Sequence, residues 1–174
     1  MTVGGHTYHP ILARVPRNSY RPKVALAKGR VGATASLEEI ARASGAVAAI
    51  NGCFFDAYTP DAVKPPYHHL LTDGELVHHG NVGTTLGFGA DGSYRMEPLS
   101  IGIRGTVGKE GVPPRTWYAY RMNHPLRNDT AAILYSSRWV GGKTPAGGVQ
   151  VVVAEGMVQE VSAGPHVIPP NGYV

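Results

Sequence analysis

Residues 36–58 read SLEEIARASGAVAAINGCFFDAY, and the interpretation of the fold turns on them. Ser36 and Glu39 form a capping box, in which each satisfies an N–H group that a helix leaves open at its start. Leu37, Ile40 and Ala41 follow at helical spacing, and Gly45 stands where a C-terminal cap belongs. The pattern predicts one helix over about 36–44. The apolar run 46–50 then predicts a strand covered on both faces. It stops on Asn51-Gly52, a dipeptide that tolerates the positive φ of a tight turn. Phe54 and Phe55 are expected to pin that turn against a core, leaving Asn51 and Asp56 free to face a cleft. A plain hairpin turn over a buried Phe pair accounts for the same residues equally well.

Outward from this unit the chain is strand-rich. Residues 6–15 and 23–27 predict two early strands. Residues 67–71 and 75–79 predict the arms of a hairpin around Asp73-Gly74. Thr85–Gly89, Tyr94–Met96 and Leu99–Arg104 predict a meander, with Asp91-Gly92 as its turn. Thr116–Tyr120, Ala131–Ser136, Val149–Ala154 and Met157–Val161 complete the set. One clear helix among many short strands argues for an α+β domain with a mainly antiparallel or mixed sheet and the helix packed on it. No internal repeat or linker divides residues 1–174, so a single domain is expected.

Composition narrows the function classes. The chain has 174 residues, 43% apolar and 16% charged, with 23 Gly and 14 Pro scattered between the strands. Apolar content at this level with so few charges describes a globular chain. Its net charge is +4, but Lys and Arg are dispersed, whereas a nucleic-acid groove concentrates them on one face. No partner nucleic acid is therefore expected. No run of apolar residues reaches the length of a membrane span, and the opening Met1-Thr2-Val3-Gly4-Gly5 is not a signal peptide. One cysteine excludes an internal disulfide.

Three places carry possible chemistry. The pairs His68-His69 and His78-His79 flank the Asp73-Gly74 turn, and a hairpin would put one histidine of each pair on each face. Two of them with Asp56 or Asp73 could form an acid–base pair or bind a divalent metal, although the spacing matches no ligand signature. Ordinary partly exposed histidines are the competing reading. Cys53 could act as a nucleophile if a histidine lowered its pKa, or be a small buried hydrophobe. In Asn123-His124-Pro125-Leu126-Arg127, the guanidinium and the amide could hold a phosphate, or the segment could be a solvated loop. Gly141-Gly142-Lys143-Thr144 lacks the spacing and following helix of a nucleotide loop.

Four ordered segments, AAINGCFFDAY (48–58), TDGELVHHGNVGTTLGFGADG (72–92), NHPLRNDTAAILYSS (123–137) and IPPNGYV (168–174), resemble the phosphodiester glycosidase family. Members of the uncovering-enzyme type remove N-acetylglucosamine from a sugar phosphodiester, and bacterial relatives occur in exported proteins. The family's Asn-Gly-x-Phe-Phe element falls on Asn51, Gly52, Phe54 and Phe55, with Asp56, Asn81, Asn123 and Arg127 at the polar positions around it. Cys53 departs from the Gly or Thr more usual there. The family also has a second half, with an Arg-Thr-Ala-type segment and an Asp-Gly-Gly-Gly element, that has no counterpart in these residues. The resemblance thus implies an N-terminal half of the family fold, completed by further residues, by a partner chain or by a homodimer, or else catalytically incomplete.

Under the hydrolase reading the resemblance implies Asp56 as the carboxylate and His69 or His78 as the acid. Asn51, Gly52, Asn81, Asn123 and Arg127 would then bind the sugar and phosphate. The alternative is a non-catalytic module that binds a carbohydrate or cell-wall glycan, or that dimerises through its sheet edges. An extracellular or cell-envelope location is expected in either case.

Overall fold

The structure is a computed structural model that describes residues 1–16, 19–80, 83–126 and 131–174. The chain opens with a short hairpin, β1 (Thr2–Val3) and β2 (His6–Thr7), followed by an irregular stretch and a 3₁₀ turn at Ala27–Gly29. The strands expected over 6–15 and 23–27 are thus reduced to His6–Thr7. Pro10, Pro16 and Pro22 recur through this region, and each removes a ladder donor.

Helix α1 spans Leu37–Ala43 and begins as its capping box requires. Glu39 N–H donates to Ser36 Oγ at 3.1 Å, and Ser36 N–H donates to Glu39 Oε2 at 2.8 Å. The helix buries no residue completely and packs chiefly on the 3₁₀ turn.

The segment after it departs from expectation. Residues 46–50 form no strand, and Ile50 and Phe54 are 87% and 77% exposed. Three of the five residues are alanine, with little area to bury and no β-branch to favour extended pairing. A strand covered on both faces needs neighbours on both sides, and among the described residues none pairs with it. The Phe pair is therefore exposed and buries neither ring; its backbone meets residues 65–67, with Phe55 in an isolated bridge to Pro66 and the Phe54 oxygen accepting from Tyr67 N–H at 3.0 Å.

The sheets lie downstream. Hairpin β3 (Leu70–Thr72) and β4 (Glu75–His78) turns on Asp73 and Gly74, both at positive φ, the backbone signature of a tight hairpin turn. Strands β5 (Gly83–Phe88) and β6 (Tyr94–Leu99) pair around Asp91-Gly92, and β7 (Ile103–Val107) pairs with β8 (Arg115–Ala119). Short β9 (Arg121–Met122) and β10 (Ile133–Leu134) run parallel. Strand β11 (Val149–Ala154) lies between β12 (Met157–Ala163) and β13 (Gly172–Tyr173).

Single bridges join several of these pieces. His79 pairs with Met122, linking the β3–β4 hairpin to β9, and Ser136 pairs with Tyr173, linking β10 to β13. Hydrogen bonding thus runs through β3-β4-β9-β10-β13-β11-β12. The result is an α+β domain of small, mostly antiparallel sheets with one helix. Its core gathers Tyr135, Trp139 and Ile168, with Val63, Ile133, Val140 and Val174 packed around them. The Tyr135 and Trp139 rings meet edge-on at 5.3 Å.

This burial pattern has a direct consequence. Trp139→Ala should cost about 3–5 kcal/mol, the usual penalty for emptying a buried aromatic site. Phe54→Ala should stay within about 0.5 kcal/mol, as at other exposed positions. Urea denaturation of the two variants checks both, and a large loss at Phe54 would contradict the exposed placement.

Candidate functional site

The register of β3 and β4 sorts the four histidines. Leu70 faces His78 across the hairpin, so the next rung sets His69 opposite His79. Their rings lie 4.8 Å apart and tilted by 37°. His78 stacks instead on His124 at 5.9 Å. One histidine of each pair has gone to each side of the hairpin, as strand alternation requires.

His78 is fully buried among backbone carbonyls. Its Nε2 lies 2.9 Å from the Pro66 oxygen and its Nδ1 lies 3.1 Å from the Asn123 oxygen. Imidazolium would donate to both, whereas neutral imidazole can donate to only one. Desolvation by burial outweighs those carbonyls and brings the His78 pKa down to about 4. The ring is therefore neutral at pH 7.

Asn123 is buried beside it with its side chain fully engaged. Its Nδ2 donates to the Val77 oxygen and to Ser136 Oγ, each at 2.8 Å, and its Oδ1 accepts from Ser136 N–H at 2.9 Å. Its backbone N–H donates to the Leu134 oxygen at 2.9 Å. Its φ is 49°, in the left-handed region that asparagine tolerates better than most residues. A ligand could reach this amide only by displacing bonds between strands.

Beside the hairpin a cleft of about 850 Å³ opens between β7, β8 and the chain leading into β9. Its walls include Trp117, Tyr118 and Tyr120, its charged groups are Arg104 and Arg121, and His79 stands at one edge. The Arg121 guanidinium lies 5.2 Å from the centre of the Tyr120 ring. Gly105 faces Trp117 in the β7–β8 register, and a Cβ there would collide with the indole, so the missing side chain makes room for the ring. No carboxylate lines the cleft among the described residues. Aromatic faces and guanidinium forks without opposing acid suit an anionic ligand with a flat or cyclic body.

The residues singled out in the sequence do not gather at this cleft. The tight turn expected at Asn51-Gly52 does not form: both residues are exposed in irregular chain, neither at positive φ, and nothing lies within 4 Å of where a Gly52 side chain would begin. Asp56 is half-buried, its backbone N–H donating to the Pro65 oxygen at 3.1 Å. His69 and His79 meet, His78 belongs to the Asn123 node, and neither Asn51, Gly52 nor Asp56 lines the cleft. Asn81 and Arg127 lie outside the described residues. Burial raises the Cys53 pKa, the opposite of what a thiolate nucleophile needs. Among the described residues, no three His, Cys, Asp or Glu side chains form a metal-binding group, and no helix is long and apolar enough to cross a membrane.

A further polar cluster holds Ser162 Oγ 3.0 Å from His166 Nε2 and 2.6 Å from Glu160 Oε1. With its proton donated to Glu160, Ser162 accepts from His166, the reverse of an activated nucleophile. The cleft residues were the ones sequence reasoning missed. Their signal is RTWYAYR at 115–121, where aromatic and basic residues interleave along a strand. Comparison with protein-family models, with curated proteins and with solved structures finds no match to the chain.

The buried imidazole makes stability depend on pH. The folded pKa of His78, about 4, lies below the 6.5 of an unperturbed histidine, so the unfolded chain binds more protons between those values. Its contribution is complete above pH 6.5 and is lost as pH falls toward 4, a span of roughly 3 kcal/mol. His69 is shifted in the same direction, by burial first and then by His79. Urea midpoints at pH 7 and 4.5 should differ much less in His78→Gln than in the parent. Equal differences would contradict the assignment.

Proposed function

We propose that this chain is a phosphodiester glycosidase-like domain that recognises a sugar phosphodiester in the cleft between β7, β8 and β9. One observation carries the proposal: three aromatic residues and two arginines line a cleft that has no carboxylate among its described lining residues. A sugar ring stacks its C–H face on indole or phenol, and a guanidinium binds phosphate through paired N–H donors. Low competition from acidic groups leaves both arginines available in sign for an anion. The four sequence segments that resemble the family support the same ligand class independently.

Cleavage of a glycosidic bond requires an acid and a carboxylate close to the bond. His79 is among the lining residues, but Asp56 is not. Recognition is accordingly the role assigned to this arrangement, and hydrolysis is assigned to groups brought to it by further residues or a partner chain. An extracellular or envelope setting, where phosphorylated glycans occur, is the proposed location.

A second reading, self-association, has exposed apolar side chains in two segments, 11–12 and 50–58, in its favour. Ile11, Leu12, Ile50, Phe54 and Tyr58 are all largely exposed, and such surfaces often mark contacts between chains. Sedimentation velocity across a concentration series separates a monomer from a homodimer.

Isothermal titration with the methyl phosphodiester of N-acetylglucosamine 1-phosphate tests recognition. Arg121→Ala should weaken binding by about tenfold or more, the usual loss for a hydrogen bond to a charged group. Trp117→Ala should weaken it as well, Asp56→Asn should leave it within about twofold, and added salt should reduce it. Binding that ignores Arg121 and Trp117 would overturn the cleft assignment.

A further inference from the structure

We infer that His69 and His79 form a binding site for one divalent transition-metal ion of the zinc class. His69 is only 5% exposed, yet among the described residues neither of its ring nitrogens has a hydrogen-bond partner, and His79 Nδ1 is likewise buried and unpartnered among them. Buried polar atoms are rarely left so, and three of them on two adjacent rings call for something that binds nitrogen lone pairs.

The surroundings match how proteins prepare a histidine to bind metal. His79 Nε2 lies 2.8 Å from the Ile101 oxygen. That carbonyl takes the Nε2 proton and so leaves Nδ1 as a lone pair. A ligating histidine usually donates its other N–H in this way. The backbone of Leu99, two residues earlier, approaches His69 without reaching hydrogen-bond geometry. One segment, 99–101, therefore backs both rings.

Ring spacing agrees as well. Two imidazoles sharing a tetrahedral ion at nitrogen distances of about 2.0–2.1 Å have centres roughly 5 Å apart. The observed 4.8 Å is close to that value. His69 and His79 lie directly beyond the rung that pairs Leu70 with His78, so the end of the hairpin sets the two rings side by side. The two imidazoles supply two of the four positions of a tetrahedral ion, and water or other oxygen ligands would fill the rest. Binding displaces no internal hydrogen bond.

Untagged chain titrated with Co²⁺, and then with Zn²⁺ in competition, tests the site by visible absorption. The expected result is saturable uptake of one ion per chain with a tetrahedral spectrum, and at least tenfold weaker binding in both His69→Gln and His79→Gln. His166→Gln, remote in the register, should bind as the parent does. Histidine ¹⁵N spectra of the parent chain cover the case in which a variant fails to fold. Zn²⁺ should then shift nitrogens of His69 and His79 and leave those of His6 and His9 in place. Absence of one-to-one uptake, uptake that survives both substitutions, or shifts confined to other histidines would overturn the inference. The readout involves no sugar phosphate, so it stands or falls separately from recognition in the cleft.

Discussion

The side chain of Asn123 is the point at which separate pieces of this protein become one structure. It reaches Val77 on β4 with one amide hydrogen and Ser136 beyond β10 with the other, while its oxygen takes the Ser136 N–H. Its backbone joins β10 through Leu134 and faces His78. None of the neighbouring strands is long enough to hold this junction alone: β9 and β10 contribute two residues each. A buried amide with every group satisfied supplies directional links where the ladders are short. Loss of any one link would leave a buried donor or acceptor at a cost of about 1–3 kcal/mol.

The cleft depends on that junction at one remove. His79 extends β4 onto Met122, which follows the cleft residues Tyr120 and Arg121. Asn123 comes directly after Met122, so the same turn that closes the polar node also sets where β9 begins. The β7–β8 hairpin supplies the opposite wall through Arg104 and Trp117, with Gly105 giving the indole space to lie across the strand. Recognition of an anion thus rests on side chains carried by short strands whose mutual placement is fixed by buried hydrogen bonds and not by a large apolar core.

What could be read from the sequence was local. The Ser36–Glu39 box defines a helix start within four residues, and Asp73-Gly74 and Asp91-Gly92 define hairpins by backbone preference alone; all three stand where expected. Strand β11 keeps its expected limits for a similar reason, since Val149–Ala154 is β-branched and bounded by turns. The run 46–50 failed because its apolarity says nothing about whether a partner strand exists. Asn123 drew attention as a ligand residue, but its burial follows from contacts with Val77 and Ser136 that are distant in the chain. The cleft was illegible for the same reason: RTWYAYR is an unremarkable strand until β7 and β9 place its aromatic and basic residues around one space.

The most direct measurement of the account is native-state amide hydrogen exchange resolved by residue. If the Asn123 node holds the sheets together, the amides of Asn123, Ser136 and His79 should exchange among the slowest in the chain, through global unfolding. Those of the exposed β5–β6 hairpin should exchange faster, through local opening. Node amides that exchange as fast as those of Thr85 and Phe88 would contradict it, because the junction would then open without the rest of the protein.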